Sequence, residues 1–435
     1  MTHQTGWHPV VDPDVPRSMP PPPGIPPLPP PRSSGRKRHS TMTLGLVAIA
    51  ALLAGLVVGG GGVGVAWLAS TDGDATSATH PAAAKQLPEE LPRLKAFVEQ
   101  ARGLEFIEPV DVEILDDAGF ERALWSPAMS TGTEAPGDYA ATYAALGLTA
   151  DADAYYEAEA SGSTELITGF YDAVSDQLVV RGTEWTPMVE ATVVHELTHA
   201  LQDQHFDLIA LETSVPLEDD SFLAIRGLIE GDATRIEYAY VGEQPREWQT
   251  QYENSFASTA PEGPYDPLAE ELGWIPYGIG LDAVELIAAA GGNAAVDRAF
   301  RQPPTTSEQL LRAQEWLDGA PDVAVEATVT RPEPPNGFTA VDEGSLGAIV
   351  LAMLPLDLQE AVYDGSGLDG WQDDKYVTWN EGSGPCVALS VSIDDDAVTA
   401  AEQFFQPWSE RTGGTIEPLR HPDGTRSLLL TSCTT

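Results

Sequence analysis

Residues 195–205 read HELTHALQDQH, which places three of the chain's eight histidines within eleven positions. His195 and His199 are four apart, so on a helix they stand one turn from each other and can turn both imidazoles onto a single metal ion. Glu196 follows the first histidine and points beside such an ion, where a water held by the metal would sit. A carboxylate there can take the water's proton as it attacks a carbonyl and return it to a leaving amine. These are the residue types that zinc-dependent hydrolysis needs. The plain alternative is an amphipathic helix whose polar face happens to carry histidines. Against it, only five histidines lie beyond residue 69 and three of them are here.

A helix must carry this stretch. Thr186-Pro187 offers a capping hydroxyl followed by proline at the first helical position. At about 100 degrees per residue, Val189, Val193, Val194, Leu197 and Leu201 fall on one side. His195, His199 and Asp203 fall within about 80 degrees of one another on the opposite side, with Glu196 at the edge. One face is expected to enter a core and the other to floor a cleft.

Two residues compete for the third ligand position. His205 lies ten positions after His195, the spacing of the HExxHxxGxxH pattern of metzincins. That pattern needs glycine at its seventh position for a sharp turn, and Gln202 stands there instead. If the helix continues, His205 ends about 240 degrees round and about 9 Å along from His199, out of reach. The methionine turn is missing too, since no methionine occurs between Met188 and Met353. The other candidate is Glu230, in the apolar segment SFLAIRGLIEGDATRIEYAYV, where Gly231 and Ala233 would let a neighbouring helix come close. Glu230 could equally serve as an i, i+4 ion-pair partner of Arg226. Glu218, Asp232 and Glu237 are weaker ligand candidates, and Asp203 and Asp232 could orient a ligand histidine.

HELTHALQDQ, followed some thirty residues after His199 by Glu-Gly-Asp-Ala at 230–233, resembles the gluzincin clan of zinc metallopeptidases. The stretches ARGLEFIEPVDVEIL, GFYD, HELTHALQDQHFDL, GLIEGDAT, GGNAAVDRAFRQPPTTSEQ and GWQDDKYV, spread over residues 90–380, look like a poorly characterised family of bacterial extracytoplasmic proteins with this motif order. The resemblance implies a zincin-like fold, with His195, His199 and Glu230 as zinc ligands and Glu196 as general base. It further implies that Gly169–Asp172 or Gln177–Arg181 is an edge strand along which a peptide substrate lies. The interval from His199 to Glu230 is longer than in thermolysin, so an inserted loop at 207–219 must be accommodated. The oxyanion-stabilising group is left open among Tyr238, Tyr240, Tyr277 and His205.

The rest of the chain sets the context. With 67 acidic and 22 basic residues among 435, the net charge is -45, so a nucleic-acid surface would work against its own electrostatics. The acidic runs at 219–220 and 394–396 lack the spacing of a calcium loop and read as solvated surface. Residues 1–42 hold a proline-rich tract and the basic cluster Arg36-Lys37-Arg38, and read as a disordered arm. Thr43–Ala69 carries no charge and is long enough to cross a lipid bilayer. The basic cluster before it places the arm in the cytoplasm and the remainder outside. Gly55 and Gly59 have the spacing of a helix-dimer motif. Outside the cytoplasm Cys386 and Cys433 are expected to form a disulfide.

Beyond the anchor, residues 70–86 read as a linker and LPEELPRLKAFVEQARGL as a helix. PVDVEIL reads as a strand, 168–182 as two strands around a polar turn, and 221–241, 279–290 and 306–317 as helices. CVALSVSI and SLLLTSC close the chain as strands. A composition change near 325 divides a metallopeptidase domain, 87–325, from a C-terminal α+β segment, 326–435. The protein is thus expected to be a single-pass membrane-anchored α+β zinc metallopeptidase acting on peptides or proteins, with a metal-bound water as nucleophile. The rivals are a metzincin-type site using His205 and a catalytically silent, zinc-stabilised surface binding module. Glu196 speaks against the last, because a structural zinc site needs four protein ligands and no base.

Overall fold

The computed structural model describes residues 81–124, 139–216, 219–257, 265–317, 329–382, 384–421 and 426–434. The arm at 1–42, the membrane span at 43–69, most of the linker, Glu218 and the boundary at 325 lie outside the described residues. The described chain mixes helices with two sheets, an α+β arrangement.

The first helix, α1, spans Ala82–Arg102, starting inside the stretch read as linker, and ends where Gly103 takes a left-handed conformation with φ 73°. Strand β1 (Asp111–Leu115), helices α2 (Asp117–Leu124), α3 (Tyr139–Ala145) and α4 (Ala152–Leu166), and strands β2 (Gly169–Asp172) and β3 (Gln177–Arg181) follow. The three strands form one sheet in the order β1-β3-β2, with β1 parallel and β2 antiparallel to β3. Of the two strands expected at an edge, β2 is at one and β3 is central. Strand sequence alone does not fix order, and β1 has taken the other side of β3. Alternation along the strands divides their side chains between two faces. Leu178, Val180 and Tyr171 pack toward α1 and the histidine-bearing helix, while Val179 and Phe170 meet Phe120 and Leu124 of α2.

That helix, α5, runs Pro187–Phe206, with the Thr186 hydroxyl accepting from the Val189 N–H at 3.3 Å and Pro187 at its first position, as expected. Its apolar side, Val189, Val193, Val194, Leu197 and Leu201, enters the core against α1 and the sheet. The opposite side is also buried, contrary to the expectation of an open cleft floor. What covers it is α7 (Asp220–Glu243), reached through a short helix α6 (Leu208–Glu212), with α8 (Arg246–Ala257) and α9 (Pro267–Gly291) beyond. The inserted loop at 207–219 thus holds one short helix, Leu208–Glu212. Asp220, read as solvated, is buried and accepts from the Ser307 N–H at 2.8 Å.

Among the described residues α9 is the one helix long and apolar enough to cross a membrane by length and composition. Here it is a core helix, with Leu268, Ile275, Tyr277, Ala283, Val284 and Ile287 buried. Its Gly280 lies against Gly227 and Gly231 of α7 so closely that a Cβ on Gly231 would stand 2.3 Å from the Gly280 carbonyl.

Three short helices, α10 (Asn293–Arg301), α11 (Glu308–Leu311) and α12 (Ala313–Leu317), complete the first part. A second, five-stranded sheet follows, built from β4 (Ala340–Gly344), β5 (Trp371–Glu381), β6 (Gly384–Ile393), β7 (Thr415–Arg420) and β8 (Arg426–Cys433). Its order is β4-β5-β6-β8-β7, antiparallel throughout. Cys386 and Cys433 face each other across β6 and β8 and form the expected disulfide. Tyr376, Leu389, Val391 and Leu430 of this sheet share one core with α3, α4 and α9, so residues on both sides of position 325 pack together.

Candidate metal centre

Helix α5 presents His195 and His199, and α7 brings Glu230 across to them. One oxygen, Oε2 of Glu230, stands 3.3 Å from Nε2 of His195 and 3.2 Å from Nε2 of His199. The three side chains are 0–2% exposed, and together they form a group that could bind a metal ion. His199 Nε2, though close to the carboxylate, makes no hydrogen bond and has no other partner. Burial pushes His195 toward neutrality, yet its contacts with Glu230 and Glu237 outweigh that and raise it to about 10. Glu230 would likewise be raised by burial, and His199, His195 and Arg226 instead pull it well below the usual carboxylate range. Both shifts favour a positive charge beside the Glu230 carboxylate, as a cation would supply.

The far side of each of these side chains is also held. His195 Nδ1 lies 3.0 Å from Oε2 of Glu237, whose other oxygen accepts from the Tyr252 hydroxyl at 2.5 Å. His199 Nδ1 lies 3.0 Å from Oε1 of Gln202, whose amide donates to the Ile229 carbonyl and to Asp232, both at 3.1 Å. Asp232 is in turn gripped by Arg102 at 2.7 Å and Arg235 at 2.8 Å. Such contacts fix the ring orientation of a metal-binding histidine. Arg226 donates to the remaining oxygen of Glu230 at 3.2 Å, so this residue meets the histidines and forms its ion pair at once.

Asp232 touches neither histidine and reaches His199 only through Gln202. Asp203 orients neither. It accepts from the Tyr171 hydroxyl and the Leu208 N–H, one turn beyond His199. His205 is carried away by the unbroken helix, and its Nε2 lies 2.9 Å from the Glu105 carbonyl oxygen. Glu237 supports His195 and stands outside the ligand group. Gln202, Arg102 and Tyr252 escaped the sequence reading. Only the periodicity of α5, which puts Gln202 one turn past Thr198 and beside His199, carried a usable hint for one of them.

Glu196 is 1% exposed. The backbone N–H of Tyr171 in β2 donates to its carboxylate, and Oε2 has no partner. Burial drives this carboxyl well above its ordinary range; His195 opposes the shift and Glu230 and Glu237 add to it. A cavity beside it is lined by Thr168, Met188, Thr192, His195, Glu237 and Phe256. Of the four oxyanion candidates, Tyr277 comes nearest. Its ring lies over His195, with centroids 6.1 Å apart and planes 25° from parallel. Its buried hydroxyl makes no hydrogen bond of normal geometry, and burial together with the Glu230 charge holds it protonated well above the usual phenol range. Tyr240 is committed to Glu190 and Arg93. Burial, with the charges of Glu237 and Glu285, raises the Tyr238 hydroxyl above the usual phenol range.

No protein-family model, curated protein or solved structure matches the chain.

Proposed function

We propose that this chain is a membrane-anchored, extracytoplasmic zinc metallopeptidase of the gluzincin type, with a zincin-like catalytic fold. His195, His199 and Glu230 are the ligands and Glu196 is the general base. The observation that carries the reading is the meeting of two Nε2 atoms on one glutamate oxygen. Ligand atoms about 2.0–2.1 Å from a tetrahedral zinc stand about 3.3–3.4 Å apart, close to the 3.3 and 3.2 Å found. Two imidazoles and a carboxylate suit zinc, and three protein ligands leave a position open for chemistry.

Zinc bound there would act as a Lewis acid for the attacking water and the scissile carbonyl. Glu196 Oε2, without a partner, takes the water's proton. Because burial raises its proton affinity, Glu196 holds that proton until the amine leaves and then delivers it. The Tyr277 hydroxyl, held protonated beside Glu230, donates to the oxygen that becomes negative. A peptide would lie along the outer edge of β2, whose Tyr171 N–H already positions Glu196.

One observation favours the rival of a silent, metal-stabilised module. Every proposed ligand and the base are buried, so substrate reaches them only if the elements packed around them yield some of their cover. The deciding experiment measures zinc content and cleavage of a broad peptide library by the full chain and by its Glu196→Gln variant. Both should bind one zinc per chain, with cleavage lowered by a factor of about 100 or more in the variant. Cleavage retained by the variant would remove Glu196 from the mechanism. Zinc in both without cleavage by either would establish the silent module.

A further inference from the structure

Glu230 is shared between two partners, one for each of its oxygens. Oε2 faces Nε2 of both histidines, at 3.3 and 3.2 Å. Oε1 accepts from Nη2 of Arg226 at 3.2 Å. Arg226 is itself anchored, since its Nη1 stands 3.5 Å from Oε1 of Glu212 at the end of α6. Glu212 and Glu230 are 3% and 0% exposed, and the arginine side chain 12%. Water therefore offers little competition for these contacts.

A carboxylate can bind a metal through one oxygen or through both, and the choice turns on rotation about its last torsion. A charge-assisted hydrogen bond on one oxygen opposes that rotation. We infer that Arg226 is a positioning residue that commits Glu230 to the metal through Oε2 alone, keeping a position free beside Glu196 and Tyr277. The inference rests on the metallopeptidase reading and adds to it the residue that sets how many ligand atoms the protein supplies. The two-pronged guanidinium is what the task requires. Separate N–H groups reach Glu212 and Glu230, and both carboxylates keep their places only if the cation between them is rigid. Lysine would bring the same charge as a single mobile point.

The test uses the metal-stripped full chain titrated with cobalt(II) alone, whose visible absorption weakens as its coordination number rises. The parent should take up one cobalt per chain and show the stronger, four-coordinate band. Arg226→Lys should still load one cobalt, with an affinity about 10–100-fold weaker and a weakened, shifted band. Glu212→Gln, which loosens Arg226 without touching Glu230, should move the spectrum the same way by less. The unfolding midpoints of the metal-free forms separate a ligand effect from a loss of fold. If Arg226→Lys loads cobalt with the parent's spectrum and affinity, the positioning role is wrong while the metal site stands. If the parent takes up no cobalt, the metal site itself is wrong. Should Arg226→Lys fail to fold, Glu212→Gln decides alone, and a parent-like spectrum in it overturns the inference.

Discussion

Glycine to alanine at three positions of one helix should give three different results. Gly227, Gly231 and Gly242 all lie in α7, so each substitution brings a similar gain in helix propensity, up to about 1 kcal/mol. At Gly242 a new Cβ meets nothing within 4 Å, so the gain stands alone and stability rises slightly. At Gly227 the nearest atom, 2.4 Å away, is Cδ1 of Leu310, the movable end of a side chain, so gain and cost should nearly offset. At Gly231 the methyl would sit 2.3 Å from the Gly280 carbonyl carbon and oxygen and 2.8 Å from the Leu281 nitrogen, all backbone. Ordinary contact needs more than 3.4 Å, so α7 and α9 must part by about 1 Å, and a gap of that size forfeits a quarter to a half of each dispersion contact it opens. Overpacking of this kind costs about 1–3 kcal/mol, and an obstacle of backbone places it at the upper end. The Gly231→Ala loss therefore exceeds the propensity gain, leaving a net destabilisation of about 2 kcal/mol. Because Glu230 precedes this glycine and Tyr277 is one turn before Gly280, metal affinity should fall with it. Denaturant midpoints of the three variants, with and without zinc, measure both effects. A Gly231→Ala protein as stable as the Gly242→Ala one would refute the close crossing of α7 and α9.

Three further outcomes follow from the same geometry. Glu237→Leu and Gln202→Leu each remove the partner of a histidine Nδ1 and should weaken zinc about 10–100-fold; competition with a chelator gives the values, and parent-like affinity in both would deny those contacts a role. Burial raises Asp220 to about 8, whereas an unfolded aspartate loses its proton near pH 3.9, so in that window the folded state binds more protons and stability falls as pH rises. Asp220→Asn should flatten that fall, by up to about 1 kcal/mol per pH unit, in denaturant melts between pH 5 and 8, and an unchanged slope would assign it to other groups. Reducing Cys386–Cys433, which closes a segment with sequence separation 47, should cost about 2–5 kcal/mol; an unfolding midpoint insensitive to reductant would show that the β6–β8 pairing is held by the sheet alone.

Some of this was legible in the sequence because its signals are local. The cap at Thr186, the proline after it and the apolar period of α5 lie within a few turns of the histidines they position, and each behaves as the pattern requires. Glu230 was legible as one of two possible partners, and the unbroken helix that displaces His205 settles which one meets the histidines. The supporting contacts were not legible. Arg102 reaches Asp232 across 130 residues and Asp297 across 195, and nothing near it in sequence distinguishes it from a surface arginine at the end of an amphipathic helix. The order of strands in the first sheet was hidden for the same reason, since each residue of β1 pairs with one 66 positions later in β3.

The burial of the polar face of α5 is the deepest departure from the sequence pattern, and its electrostatics make chemical sense. Glu196, Glu212, Glu230, Asp232 and Glu237 are five carboxylates buried around the two histidines. Apart from the two histidines, only Arg102, Arg226 and Arg235 among the described residues are paired with these carboxylates, the last two with small exposed fractions. Five negative groups against three positive ones, one of them shared with Asp297, leave at least two charges to be met, and charges are not buried cheaply without partners. Protons can meet them, which is what the upward shifts of Glu196 and His195, and of Glu212 to about 7, express. A divalent cation between His195, His199 and Glu230 meets them as well, at the point where three ligand atoms already converge. Metal binding should therefore release protons, and calorimetric titrations in buffers of different ionisation enthalpy count them. Uptake of zinc with no proton release would mean that the carboxylates are already balanced some other way, and the burial of Glu196 would lose its link to the metal.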